Sequence, residues 1–339
     1  MRRREQMRLS LAMLAALCVT GLGVVLLAHF TPVIGNHVER ELAQLRATNG
    51  LYYFDDGYTD EGDYVLVGQL PQDDYAHGGV YFLGSSEMNT AIMPWLFSPA
   101  ERRLIHNYSI GDLRHTDARH YVRMIVEDND LLQRGGEKTA VILGLSFQMA
   151  RKTDGAMYVP DLFHRHGLYT YDWTKGIRRA PLSSFKRYLI LERDRANRFL
   201  RILFLAPSRV RITGDSDLEK REHMMRVMAG DWQSVMRKEV QELAALIDFL
   251  QARNVRVRAL FPPSGTWQDT LPYQAAYREM VRPILEFRKV PVTDFGDLLP
   301  DEEFMDAIHA RYAGQLKVHK AYRELALQAL AEMGTKVGP

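Results

Sequence analysis

The hydropathy pattern begins with one long apolar segment near the amino terminus. Residues 9–30 contain no Asp, Glu, Lys or Arg, and as a helix they would cover roughly 33 Å of hydrocarbon. A secretory signal has a shorter apolar region, about 7 to 15 residues, followed by a small-x-small cleavage site, which this segment lacks. The pattern therefore predicts an uncleaved anchor that crosses the lipid bilayer once.

Arginines flank only the amino end of this segment, at Arg2, Arg3, Arg4 and Arg8. Because positive flanks stay in the cytoplasm, the chain after residue 30 is predicted to lie outside the cytoplasmic membrane. The predicted organisation is a cytoplasmic flank (1–8), a transmembrane anchor (9–30), a juxtamembrane segment (31–75) and an extracytoplasmic domain (76–339).

In the outer part, short apolar runs alternate with helical periodicity. Buried strands are predicted at 80–83 and 140–143, a further strand at 255–261, and short strands at 290–295 and 64–70. Helices are predicted at 184–204, from about 235 to 254, at 273–287, and at the end of the chain, where Val318, Tyr322, Leu325 and Ala329 share one face. Strands separated by helices predict a three-layer α/β fold with a doubly wound parallel sheet, in which functional groups follow the carboxyl ends of the strands.

One region fits this alternation poorly. Residues 146–215 are rich in Tyr, His and Arg, with little periodicity outside the helix at 184–204. We interpret them as an insertion and expect it to lie over the carboxyl edge of the sheet, because insertions after strands line that crevice.

Composition narrows the range of partners. The chain has 339 residues, 46% of them hydrophobic, and a net charge of +2. That charge is too small for sustained phosphate contacts, so nucleic acid is not an expected partner. Because Cys18 is the single cysteine, an internal disulfide and a Cys-built zinc site are excluded. Cys18 lies within the apolar segment, which favours its interpretation as a small hydrophobic residue over a lipidated one.

Two short motifs carry candidate chemistry. The first predicted strand leads into Gly84-Ser85-Ser86-Glu87, where a serine is either a nucleophile or the cap of the next helix. Beyond the last strand stands Asp306-x-x-His309, which in a helical turn would let the carboxylate orient the imidazole as a general base. Each motif is ordinary alone, but both would meet at one sheet edge and supply nucleophile, base and orienting acid.

These two motifs resemble the SGNH/GDSL hydrolase superfamily and, within it, the membrane-anchored DltD-like D-alanyl transfer family. The resemblance covers most of residues 75–330. In the superfamily's Gly-Asp-Ser-Leu block the serine is third, so alignment on Gly84 implies Ser86, not Ser85, as nucleophile, with His309 as base and Asp306 as its orienting acid.

The chain departs from the superfamily after its third strand. An asparagine-bearing block that supplies oxyanion-hole groups is replaced by residues 262–267, Pro-Pro-Ser-Gly-Thr-Trp. The remaining oxyanion-hole candidates are Gly144 and the amides of Ser86 and Glu87. Losing one donor costs on the order of 3 kcal/mol, so we expect a slow enzyme or one completed by a partner.

Other polar and aromatic residues are weaker candidates for a functional site. Trp267 and Tyr273 are candidates for lining a substrate pocket, with core packing as the alternative. Substrate contact and packing are likewise the two interpretations of Tyr169, Tyr171 and Trp173. Asp161, His164 and His166 are interpreted as a solvated loop, because three potential ligands without a second cluster do not make a metal site. No metal and no cofactor are expected.

The resemblance implies D-alanyl esterification of a cell-envelope polymer such as a teichoic acid. It also implies a membrane-bound O-acyltransferase as the partner that delivers the acyl group. Two alternatives stay open at this point: an envelope esterase or thioesterase that releases acyl groups to water, and a non-catalytic scaffold for the acyltransferase.

Overall fold

The computed structural model describes residues 2–30, 33–52, 78–128, 138–152, 162, 167–172, 176–204 and 210–335. The chain forms two compact units. The anchor unit consists of Met1–Ala47 and Pro181–Arg209, and the sheet unit consists of Thr48–Ala180 and Val210–Pro339. The strand predicted at 64–70 lies outside the described residues.

The centre of the sheet unit is a five-stranded parallel sheet. The described strands are β1 (Leu51–Tyr52), β2 (Gly79–Leu83), β3 (Ile105–Asn107), β4 (Thr139–Gly144), β5 (Tyr169–Asp172), β6 (Gly176–Arg179), β7 (Val210–Arg211), β8 (Arg256–Phe261) and β9 (Val292–Asp294). The order across the central sheet is β3-β2-β4-β8-β9, and every neighbouring pair is parallel. All four predicted strands outside 64–70 are confirmed, whereas the short edge strand β3 was missed because it carries only one apolar residue, Ile105.

Helices connect the strands. They are α1 (Arg2–Phe30), α2 (Val33–Thr48), α3 (Ser86–Ala91), α4 (Pro99–Arg102), α5 (His115–Asp128), α6 (Ser184–Phe204), α7 (Asp217–Val227), α8 (Trp232–Gln251), α9 (Thr266–Asp269), α10 (Pro272–Phe287) and α11 (Tyr312–Glu332). The predicted helices at 184–204 and 273–287 match α6 and α10 to within a residue. The four residues predicted to share a face of the last helix are all buried in α11.

Alternate residues of β2 show why the unit has three layers. Tyr81 and Leu83 share an apolar space with Val122 and Ile125 of α5 and with Leu250 of α8. On the opposite side, the Phe82 ring stacks on Tyr322 of α11 at 6.1 Å between centroids. Because side chains alternate across a strand, the sheet is covered by helices on both faces.

The region predicted as one insertion divides between the two units. Strands β5 and β6 form an antiparallel hairpin, and Arg178 of β6 binds Glu127 of α5 at 2.8 Å. Helix α6 belongs to the anchor unit instead, where it packs against α1. The chain re-enters the sheet unit at β7, which pairs with β1.

In the anchor unit, α1 contains one apolar stretch, Gln6–Leu27, that is long enough to cross a membrane and whose residues are not buried within the protein. This agrees with the anchor predicted at residues 9–30. The lone cysteine, Cys18, is exposed on this helix.

Candidate active site

The carboxyl edge of the central sheet gathers the polar groups. Ser86 and Glu87 follow β2, and Ser146 follows the adjacent strand β4. Between β2 and β4 the strand order reverses direction, since β2 leads outward to β3 and β4 leads the other way to β8. Doubly wound sheets place their ligands at this topological switch point.

Two glycines allow a helix to approach this point closely. A Cβ at Gly84 or at Gly144 would clash with the Met88 side chain, which is fully buried in α3. The shared strand-then-glycine pattern therefore reflects packing of α3 over the ends of β2 and β4. For Gly144 this is a structural role, and its use in an oxyanion hole stays a prediction.

Local structure distinguishes the two serines. Ser85 is only 3% exposed and occupies the N-cap position of α3, where its side chain makes no capping hydrogen bond. Ser86 is the first residue of α3 and is half-buried, so more of its surface is accessible to a substrate. The first amides of a helix have no acceptor within it, which leaves those of Ser86 and Glu87 as candidate donors to an oxyanion.

Asp306 and His309 form the expected hydrogen bond, but not in a helical turn. They lie in a bend closed by the Phe304–Ala310 bridge. The amide of His309 donates to Asp306 Oδ1 at 2.8 Å, and His309 Nδ1 lies 3.0 Å from both carboxylate oxygens. The prediction of a helical turn was wrong, because the carboxylate itself accepts the backbone amides that would continue a helix.

This geometry fixes the role of each ring nitrogen. With Nδ1 donating to Asp306, Nε2 is the nitrogen that can accept a proton. Burial lowers the pKa of His309, but the charge and the hydrogen bond of Asp306 outweigh it, and Glu87 adds to them, so the pKa is raised above 6.5. Arg211 Nη1 also donates to Asp306 Oδ2 at 3.4 Å.

Glu87 is the most unusual acid of the site, and its side chain was missed by the sequence analysis, which considered only its amide. Ser146 Oγ donates to Glu87 Oε1 at 2.9 Å, across the switch point. Burial raises the pKa of Glu87 from 4.5 to about 7, although the Ser146 bond and the charges of His309 and Arg151 oppose this. The mutual effects of Glu87 and His309 show that the two motifs lie within electrostatic reach of each other.

A second missed residue supports the base from the β8 side. The side-chain amide of the buried Gln268 donates to the carbonyl of Ala307 at 3.1 Å, within the Asp306–His309 bend. In the chain, Gln268 directly follows residues 262–267, Pro-Pro-Ser-Gly-Thr-Trp. There the ring of Trp267 lies against Gly265, where a Cβ would clash with it.

The two predicted pocket-lining aromatics lie in packed surroundings. Trp267 is 1% exposed, its ring meets the Phe304 ring edge-on at 5.0 Å, and the Lys220 ammonium sits 4.0 Å above it. Tyr273 is also buried and packs edge-on against Trp232. Both residues therefore fit the core-packing alternative better than substrate contact. Tyr169, for which the same alternatives were considered, is buried as well.

A pocket lies beside Glu87. The tyrosine that lines it is Tyr277, one turn after Tyr273 in helix α10. The pocket encloses about 260 Å³, part of which is open to solvent, and the residues that line it include Glu87, Ser146, Gln268, Tyr277 and Arg278. The Tyr277 hydroxyl lies 2.7 Å from Nε2 of His115, and burial lowers the pKa of His115 to about 3, which keeps that imidazole neutral. Polar groups thus face a small space next to the serine-bearing turn.

Both ends of the predicted insertion lie at this edge of the sheet. Ser146 begins it beside Glu87, and Arg211 and Asp215 end it against the Asp306 bend, where the Asp215 amide donates to the carbonyl of Met305 at 2.8 Å. The described residues contain no cluster of three or more potential metal ligands. Asp161, His164, His166 and Trp173 lie outside them, as does the side chain of Tyr171.

Comparison with known proteins does not identify a family for this chain. No protein-family model matches the chain, and no curated protein matches it. Among solved structures, it is similar to a Bacteroides fragilis protein provisionally described as an acylhydrolase, with 9% identity and a TM-score of 0.40, over 77% of this chain and 95% of that one. At that level of similarity, conclusions about activity have to come from the residues of the site.

Proposed function

We propose that this chain is a membrane-anchored, serine-dependent acyl-transfer protein. In this proposal Ser86 is the nucleophile, His309 the general base and Asp306 the acid that orients it. The observation that carries the proposal is the buried Asp306–His309 hydrogen bond at the same sheet edge as the accessible Ser86. Nucleophile, base and orienting acid are the parts that serine acyl transfer requires.

The chemistry follows from these positions. Ser86 Oγ attacks the acyl carbonyl carbon while His309 Nε2 takes the hydroxyl proton, and the negative carbonyl oxygen faces the amides at the start of α3. The leaving group departs with the proton from His309, and the acyl group remains on Ser86 as an ester. An acceptor hydroxyl then repeats the sequence in reverse, giving its proton to His309 and regenerating Ser86.

Glu87 and Arg211 adjust the charge of this site. The carboxylate of Glu87 favours the protonated form of His309, which is the form that develops in the transition state. Arg211 contacts Asp306 and opposes that effect. A raised pKa makes His309 a stronger base, while the neutral form needed to start the reaction then requires a higher pH.

The location and the acyl group are finer parts of the proposal. Helix α1 tethers the sheet unit to the outer face of the cytoplasmic membrane, with the arginine flank inside. The two motifs resemble the DltD-like family, which implies D-alanyl as the acyl group, an envelope polymer such as a teichoic acid as the acceptor and a membrane-bound O-acyltransferase as the partner. Water in place of the polymer would make the same site an esterase.

The test is envelope acylation in cells that carry single variants of the full chain. Ester-linked acyl groups are released from the envelope with mild alkali and identified by mass spectrometry. Ser86→Ala should abolish the release that depends on this protein, whereas the matched control Ser85→Ala should retain it. Full acylation with Ser86→Ala would refute the catalytic proposal and favour a scaffold. A dependent release of some other acyl group would refute only the D-alanyl part.

A further inference from the structure

Helix α6 leaves part of its apolar face uncovered. Phe185, Tyr188 and Leu189 are 70%, 55% and 48% exposed. Their spacing of three and four residues places them on one side of the helix. Further along the same side, Glu192 and Phe199 are buried, so this face is covered at those two positions and uncovered at its amino end.

The sequence of helix α6 has an excess of basic residues. Helix α6 contains six basic residues against two acidic ones: Lys186, Arg187, Arg193, Arg195, Arg198 and Arg201 against Glu192 and Asp194. Lys186 and Arg193 are exposed, and Arg193 also pairs with Asp194 at 2.8 Å. A helix with aromatic and aliphatic residues on one face and an excess of Lys and Arg is typical of the membrane–water interface, where the cations meet lipid phosphates.

The contact with α1 places this helix near the membrane. Helix α6 packs against α1, the helix that is long and apolar enough to cross a bilayer. Between residues 6 and 27 of α1, only Gly23, Val24 and Val25 are partly covered, and the other residues are exposed. Those positions lie toward the carboxyl end of the span, which the arginine flank assigns to the outer surface.

We propose that α6 is a second membrane contact, lying in the outer interface with Phe185, Tyr188 and Leu189 inserted among anionic lipids. This inference rests on the proposed anchoring by α1. A lipid surface fits better than a protein partner because the patch combines exposed aromatic and cationic side chains on a helix already packed against the membrane span. The interfacial helix would supplement the anchor and restrict the tilt of the anchor unit at the membrane.

The experiment uses the full chain in vesicles of phosphatidylglycerol and phosphatidylcholine, with a nitroxide label at one cysteine at a time. The native Cys18 reports on the span. Leu189→Cys, in a Cys18→Ser background, reports on α6. The matched control is Phe287→Cys in the same background, because Phe287 is an 83% exposed apolar residue of the sheet unit. Collisions with oxygen report on lipid, and collisions with a neutral nickel complex report on water.

The label at Leu189 should lose nickel accessibility and gain oxygen accessibility relative to the label at Phe287, and replacing phosphatidylglycerol with phosphatidylcholine should weaken both changes. If the Leu189 label matches the Phe287 label while the Cys18 label is in lipid, the inference is overturned and the anchor stands. If the Leu189 label is shielded from both reagents, the patch is covered by protein, which also overturns it. A water-accessible Cys18 label would refute the anchor itself.

Discussion

The two halves of the candidate site are held in different ways. Ser86 is presented by regular structure, since it follows the fully buried strand β2 and starts a helix whose Met88 packs over two glycines. His309 is presented by an irregular bend that depends on single polar contacts from Asp306, Gln268 and Arg211. Changes to the packing that supports Ser86 should therefore alter stability, and changes to the contacts that support His309 should mainly alter activity.

The largest expected effect is on the base side. His309→Ala or Asp306→Asn should reduce acyl transfer by on the order of 10³- to 10⁴-fold, because the first removes the base and the second disturbs its tautomer. Residues of a triad act as a unit, so combining His309→Ala with Ser86→Ala should add little. The measurement is the rate of acyl transfer or of labelling by a serine-directed probe, together with thermal unfolding. Additive losses in the double variant would contradict a shared role.

The next largest effect is a loss of stability when Gly144, which packs against the serine-bearing helix α3, is replaced. Gly144→Ala should lower the free energy of unfolding by about 1 to 3 kcal/mol, because the new methyl group clashes with Met88 in a packed interior. Denaturant titration measures the loss. The control is Gly144→Ala combined with Met88→Ala: if the clash is the cause, the double variant should be less destabilised than the sum of the two single variants. A simple sum would show that Gly144 matters for another reason.

A smaller effect is expected from one support of the bend. Gln268→Ala removes the hydrogen bond to the carbonyl of Ala307, and a bond of this kind contributes about 0.5 to 1.5 kcal/mol, so activity should fall by up to about tenfold. Gln251→Ala is the control, since the Gln251 side-chain amide also donates to a backbone carbonyl, that of Arg288 at 2.9 Å, outside the bend. An equal loss of activity in both variants would contradict the positioning role.

The smallest effect is a shift in pH dependence. The anion of Glu87 raises the pKa of His309, so Glu87→Gln should lower that pKa and move the acidic limb of the labelling rate to lower pH. Ser146→Ala should instead raise the pKa of Glu87 above its present value of about 7, because the Ser146 bond lowers it. An unchanged pH profile in Glu87→Gln would show that Glu87 does not affect the base.

Glu87 should also make the free energy of unfolding depend on pH. Its pKa is raised in the folded chain from 4.5 to about 7, so between these pH values the folded state binds more protons than the unfolded state. The contribution of Glu87 to the stability of the folded state is therefore fully present below pH 4.5 and is lost as the pH rises through 7. Unfolding titrations of the parent and of Glu87→Gln, at pH 5 and pH 8, should show a smaller loss of stability with rising pH in the variant.

Periodicity and short motifs predicted much of this arrangement. Buried parallel strands have continuous apolar runs, so β2, β4 and β8 were recognisable, and the chemistry of sheet edges indicated where to look. The edge strand β3 was not recognisable, because two of its three residues, His106 and Asn107, are polar. The helical turn at Asp306 was wrong because spacing alone cannot distinguish a helix from an Asx-type bend.

The roles of Glu87 and Gln268 depend on contacts between distant segments. Glu87 is bonded to a residue 59 positions away and Gln268 to one 39 positions away, and neither distance is encoded in a local pattern. The environment that raises the pKa of Glu87 forms only when β2 and β4 become neighbours. The one feature of the sequence that pointed to the Glu87 side chain was its position directly after a candidate nucleophile.

The central claim is that the Asp306–His309 pair activates Ser86. The most direct measurement is reaction of the full chain with a fluorophosphonate probe, followed by peptide mapping of the adduct by mass spectrometry. The account predicts an adduct on Ser86, retained in Ser85→Ala and lost in His309→Ala. An adduct on Ser85, or labelling of Ser86 that is undiminished in His309→Ala, would contradict it.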